Sequence, residues 1–99
     1  MAIQSSFKEK TADKVKEPKH YKVIMYNDDF TTMEFVVEVL VTVFKKEQMM
    51  AEALMLDVHK KGRAVVGRYP FDIAVSKTNK ALRMAKEQGF PFKMTVEED

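Results

Sequence analysis

The chain has no cysteine, so no disulfide framework can staple it and no thiol nucleophile is on offer. It also lacks an apolar signal segment at its start and any long uncharged apolar run, the pattern of a soluble protein of a reducing compartment with no membrane partner. The cytoplasm is the expected location. Charge of one sign is missing too: 17 basic and 15 acidic residues leave a net +2, too balanced to call for a polyanion, so nucleic acid is not an expected partner. There is no Gly-x-Ser-x-Gly turn, and His20, beside Lys19, reads as a surface residue at a strand entry. These absences argue against an enzyme. Asp28, Asp29 and His59 lack the alternating ligands and glycine of a calcium loop and the second histidine of a catalytic zinc site, so no metal or cofactor is expected.

What the 99 residues do contain is enough for one small domain. Residues 1–17 are polar and without sustained period, and are expected to form a disordered N-terminal extension; residues 18–99 form the core. Tyr21 to Tyr26 is a β-branched and aromatic strand, apolar on both parities toward its end. Thr31 and Glu34 have capping-box spacing, with Phe30 and Phe35 at the staple positions. The helix they open carries Met33, Val36, Val37, Leu40, Val41 and Phe44 on the expected buried face. A second helix spans about Glu47 to Lys61 with Gly62 as its left-handed stop, and a strand follows from Arg63 to Tyr69. A third helix runs from Phe71 to Gln88, and Phe92 to Val96 alternates as a last strand. The order β-α-α-β-α-β closes most simply as an α+β fold, three helices packed on a three-stranded antiparallel sheet.

Function concentrates at the junction Asn27-Asp28-Asp29, where acceptor side chains precede a helix whose first turn carries Met33. Such acceptors suit a cation or an ammonium, and Met33 suits the wall of an apolar hole. Each residue also has a plainer role. Asp29 serves equally as an Asx-turn acceptor, His59 as a surface residue near a helix end, and Met33 and Met55 as core. Periodicity leaves both sets of roles open.

Tyr21-Lys22-Val23-Ile24 leading into Asn27-Asp28-Asp29-Phe30-Thr31-x-Met33-Glu34-Phe35-Val36, then Leu54-Met55-Leu56-x-Val58-His59-x-x-Gly62, Gly67 and the Pro91 to Val96 strand, closely resembles the ClpS adaptor family over residues 18 to 96. Thr32 departs from the proline that many members carry there, and Asp72 from a longer acid. The resemblance implies a fold like the C-terminal domain of the bacterial ribosomal stalk protein. It also implies a monomeric, non-enzymatic adaptor of the cytoplasm, or of the plastid stroma. Its partners are then N-degron peptides and proteins whose first residue is Phe, Tyr, Trp or Leu, and a ClpA- or ClpC-type AAA+ unfoldase working with ClpP. On this basis Asn27, Asp28 and His59 are expected to bind the α-amino group. Ile24, Thr31, Met33, Val36, Met55, Val58 and Phe92 are expected to line the side-chain pocket, and Asp72 and Lys77 to contact the unfoldase. The competing class is a ribosome- or nucleic-acid-associated accessory module using the lysines at 8, 10, 14, 16 and 19, whose binding would weaken steeply with salt.

Overall fold

Strand β1 (His20–Tyr26) is followed by helices α1 (Met33–Thr42) and α2 (Gln48–Lys61), strand β2 (Arg63–Pro70), helix α3 (Phe71–Glu87) and strand β3 (Lys93–Glu98). The computed structural model describes residues 19–99, so the expected disordered extension lies outside the described residues. β1 is the central strand of a sheet ordered β2-β1-β3 and runs antiparallel to both neighbours. The α+β class and the β-α-α-β-α-β order are those read from the sequence. The apolar run Val23-Ile24-Met25 explains the central position, because all three side chains are buried whichever way the strand pleats. Register against β2 slips between Val23 and Ile24, a bulge next to Gly67. A Cβ on Gly67 would stand 2.7 Å from the Tyr69 hydroxyl, so any larger residue there would have to displace the Tyr69 ring.

α3 lies on the sheet through Ala74, Thr78, Ala81 and Ala85, a buried stripe at i, i+4, i+7 and i+11 whose small side chains allow a short separation. α1 and α2 pack on each other, and α2 also reaches β2. Phe35 joins the layers, its ring meeting those of Phe90 and Phe92 edge-on at 5.1 and 5.9 Å. Among the described residues no helix is long and apolar enough to cross a membrane.

α1 differs from the sequence reading in two ways. Its N-cap is Thr32, whose hydroxyl accepts from the Phe35 N–H at 3.2 Å; Thr31 is free for another bond and Glu34 sits one place short of a capping box. Phe30 is 75% exposed and staples nothing. The helix is also rotated: Phe35, Val36, Val39 and Leu40 are buried, while Met33 is 45% exposed and Val37 and Val41 are half-buried. The rotation follows from two aromatic rings, Phe90 and Phe92, converging on Phe35 and drawing that residue inward. It turns Met33 toward α2 and out of the core, where a ligand can meet it.

Candidate functional site

The loop after β1 is fixed by its own hydrogen bonds. The Asn27 N–H donates to the Gly62 carbonyl at 2.9 Å. Gly62 closes α2 at φ +90°, a left-handed value that glycine adopts without strain, and its N–H donates to the Val58 carbonyl at 2.8 Å. That pin brings Asn27 to the end of α2, where His59 sits one turn back. Asp28 then organises the turn into α1. Its Oδ1 accepts from the N–H groups of Phe30 and Thr31 at 2.8 and 2.7 Å, and its Oδ2 accepts from the Thr31 hydroxyl at 2.7 Å. The Asx-turn acceptor is therefore Asp28, not Asp29. Burial tends to raise the Asp28 carboxyl, but the bonds from Thr31 and Phe30 outweigh it and hold the group below its ordinary value. A carboxylate offers about four acceptor sites. Three are taken here, which leaves one on Oδ2 for a ligand.

Behind this loop lies a cavity of about 230 Å³ between α1 and α2. Met33, Val36, Met55 and Val58 form its apolar part, while Asn27, Asp28, Asp29, Thr31 and His59 form its polar end. Val36 and Val58 are buried floor; Asn27, Asp29 and His59 are exposed at the mouth. A cavity of about 150 Å³ suffices for benzene, so this one has room for a single large side chain. The arrangement offers acceptors for a donor-rich cation at one end and apolar contact for a bulky group at the other.

Asn27, Asp28, Thr31, Met33, Val36, Met55, Val58 and His59 thus meet around one space, and Asp29, whose role the sequence left open, joins them. Two expected pocket residues do not line it. Ile24 lies on the opposite parity of β1 from Val23 and Met25 and lines a separate groove with Lys22, Leu54 and Val65. Phe92 is 6% exposed against Phe35 and is part of the core. Asp72 is exposed in the first turn of α3. Lys77, five residues on and so about 140° around the helix, turns inward: its Nζ donates to the Val43 carbonyl at 2.9 Å and lies 5.6 Å from the Tyr69 ring centre. The structure does not bring these two side chains together, and Lys77 caps the end of α1.

Residues 16–95 match the family model described as ATP-dependent Clp protease adaptor protein ClpS. The ATP-dependent Clp protease adapter protein ClpS of Clostridium acetobutylicum is 46% identical over 100 aligned positions, covering 99% of each chain. Its counterpart in Acetivibrio thermocellus is 50% identical over 97, covering 98% of each. Among solved structures, that of Agrobacterium tumefaciens ClpS2 bound to L-phenylalaninamide superposes with a TM-score of 0.81 at 41% identity, spanning 84% of this chain and all of that one.

Proposed function

The chain belongs to the ClpS family of Clp protease adaptor proteins, and from that membership we propose that it captures proteins beginning with Phe, Tyr, Trp or Leu through their free α-amino group. It hands them to a ClpA- or ClpC-type unfoldase for degradation by ClpP. The observation that carries this reading is the apolar cavity with acceptors clustered at its mouth. L-phenylalaninamide, the ligand of the Agrobacterium relative, combines a free α-amino group with a benzyl side chain, and so presents both features such a cavity is built to meet.

An α-amino group has a reference pKa of about 7.7–8.0 and three donors when protonated. The remaining site on Asp28 Oδ2 accepts one. Asn27 and a neutral ring nitrogen of His59, directly or through water, accept the others, and Asp29 adds charge nearby. Bonds of this kind contribute about 1.5–3 kcal/mol net. Burying the Phe or Leu side chain against Met33, Val36, Met55 and Val58 contributes about 1.5–3 kcal/mol more. Met33, standing at the rim, crowds a β-branched first residue and so rejects Val and Ile.

Delivery uses other surfaces. Residues 1–17 engage the unfoldase, and the exposed face around Asp72 docks its N-terminal domain, with Lys77 bracing α3 against the end of α1 beneath that face. The adaptor acts as a monomer in the cytoplasm, or in the stroma of a plastid. Fluorescence titration with C-terminally labelled peptides beginning Phe, Leu, Ile and acetyl-Phe tests the capture step: Phe and Leu bind, Ile and acetyl-Phe do not. Equal binding of Phe and acetyl-Phe peptides would refute it. Removing residues 1–17 leaves peptide binding intact and stops degradation by the unfoldase and ClpP; loss of both together contradicts the division of labour.

A further inference from the structure

A second cavity, of about 590 Å³, opens beside the first and shares Met33 and Met55 with it as a common wall. Its apolar surface comes from those two residues with Val37 and Leu56. Its rim carries Glu34, Glu38 and Glu52 and neither lysine nor arginine. The ion pairs formed among the described residues, Lys19–Glu98, Lys61–Asp57 and Arg68–Asp99, involve none of these three carboxylates; Glu52 accepts from the neutral Gln48 amide at 2.9 Å, which leaves its charge without a cation. Met33 and Leu56 are each 45% exposed, so apolar area here is left for something else to cover.

We propose that this groove receives the side chain of the third residue of a captured chain and favours lysine or arginine there. The proposal rests on the amine-pocket reading above and extends it along the same peptide. In an extended chain the first and third side chains point to one side and the second to the other, with the third about 7 Å beyond the first. α1 and α2 run antiparallel here, since Met33 and Met55 border the first cavity while Glu38 and Gln48 border the second. At about 1.5 Å per residue, Val37 lies about 6 Å along α1 from Met33, and Glu52 about 4.5 Å along α2 from Met55, in the same direction. For a captured chain that leaves the first cavity along this groove, the side chain at the third position reaches the level of Val37 and Glu52, while that of the second points to solvent. A long aliphatic stem lies on Met33, Val37 and Leu56, and its cationic head meets Glu38 and Glu52. A neutral or acidic side chain gains nothing from that rim.

The test compares peptides beginning Phe-Ala-Ala, Phe-Ala-Arg, Phe-Arg-Ala and Phe-Ala-citrulline, with one common neutral tail, by fluorescence anisotropy. Arginine at position three tightens binding about fivefold, whereas at position two it leaves affinity within about a factor of two. Citrulline, which keeps the shape and loses the charge, shows no gain. The double variant Glu38→Gln/Glu52→Gln binds Phe-Ala-Ala as the unmodified protein does and loses the position-three gain. Equal gains at positions two and three would mean a diffuse attraction to the acidic loop and would overturn the proposal, as would a gain that survives the double variant. No binding of Phe-Ala-Ala at all overturns the amine-pocket reading, and this extension with it.

Discussion

Replacing Asp28 separates the loop-building job that its carboxylate performs from the ammonium contact proposed for it. Asp28→Ala removes three hydrogen bonds, to the N–H groups of Phe30 and Thr31 and to the Thr31 hydroxyl. These are the bonds of an N-terminal cap displaced by a few residues, and loss of such a cap costs about 0.5–2 kcal/mol. The loop is partly open to water, so the lower half of that range applies. Asp28→Asn keeps an amide oxygen at the Oδ1 position for the two N–H groups, and the Thr31 hydroxyl can rotate to accept from the new NH2. Its stability stays within about 0.5 kcal/mol of the parent. Binding separates differently. Both variants lose the negative charge facing the ligand ammonium, and truncating one side of a hydrogen-bonded charge pair costs about 2–5 kcal/mol when buried. At this exposed mouth we take about 2 kcal/mol, close to 30-fold in affinity. Thermal unfolding and titration with a Phe-initiated peptide, run on both variants, measure the two quantities. Asp28→Asn with undiminished affinity would refute an ammonium contact at Asp28, and Asp28→Ala with unchanged stability would refute the loop argument.

Met33→Ala opens the rim of the cavity and admits peptides beginning Val or Ile, with affinity for Phe reduced about fivefold by lost apolar contact; continued rejection of Val and Ile in titration counts against the crowding role. Lys77→Met keeps the aliphatic stem and strips the cap from the Val43 carbonyl, lowering stability by about 1 kcal/mol with peptide affinity unchanged, as read by denaturant unfolding. Gly62→Ala strains a residue at φ +90° by about 1–2 kcal/mol and disturbs the pin to Asn27, so stability and peptide affinity fall together. Acid has a defined sign: because the native Asp28 carboxyl sits below its ordinary value, its contribution to stability is full above about pH 4 and fades as the pH drops through the lowered native value. Asp28→Asn removes that part of the acid slope, which unfolding curves at several pH values reveal.

The element order was legible because its punctuation is local. Gly62, Pro70 and Gly89 each end or begin a segment by backbone geometry that does not depend on the rest of the chain. The face of α1 was not legible. Val36, Val37, Val39 and Val41 give that helix two overlapping apolar stripes, and only the ring cluster around Phe35, with Phe90 and Phe92 brought from the loop before β3, decides which goes inward. Thr31 and Thr32 posed the same difficulty at smaller scale, since either hydroxyl can cap and the Asp28 carboxylate claims the first. Ile24 stands in a strand buried on both parities, so no alternation marks which side chain faces the ligand space. Lys77 reaches a carbonyl 34 positions earlier in the chain, a contact that sequence spacing cannot announce.

The two ends of the site are built from materials of different stiffness, and this bears on selectivity. The Asn27 backbone is pinned to Gly62, Asp28 is held by three bonds, and α1 starts from a capped Thr32, so the Asp28 carboxylate and the loop that carries Asn27 stand in place before any ligand arrives. Preorganised acceptors lose little entropy on binding and discriminate against an acetylated amine, which carries no charge and offers one N–H where the ammonium offers three donors. The apolar end is set by Met33 and Met55, unbranched side chains with three rotatable bonds and no hydrogen-bonding constraint. They can reshape around a ring or a leucyl group at small cost. On the proposed reading the same cavity is strict about the chain terminus and permissive about the side chain beside it, which is the pattern needed to sort many proteins by one shared feature. Stiffening the soft end, as in Met55→Ile, should narrow the accepted side chains without weakening discrimination against acetylation; if acetylated peptides gained as the side-chain range shrank, the two ends would not be independent.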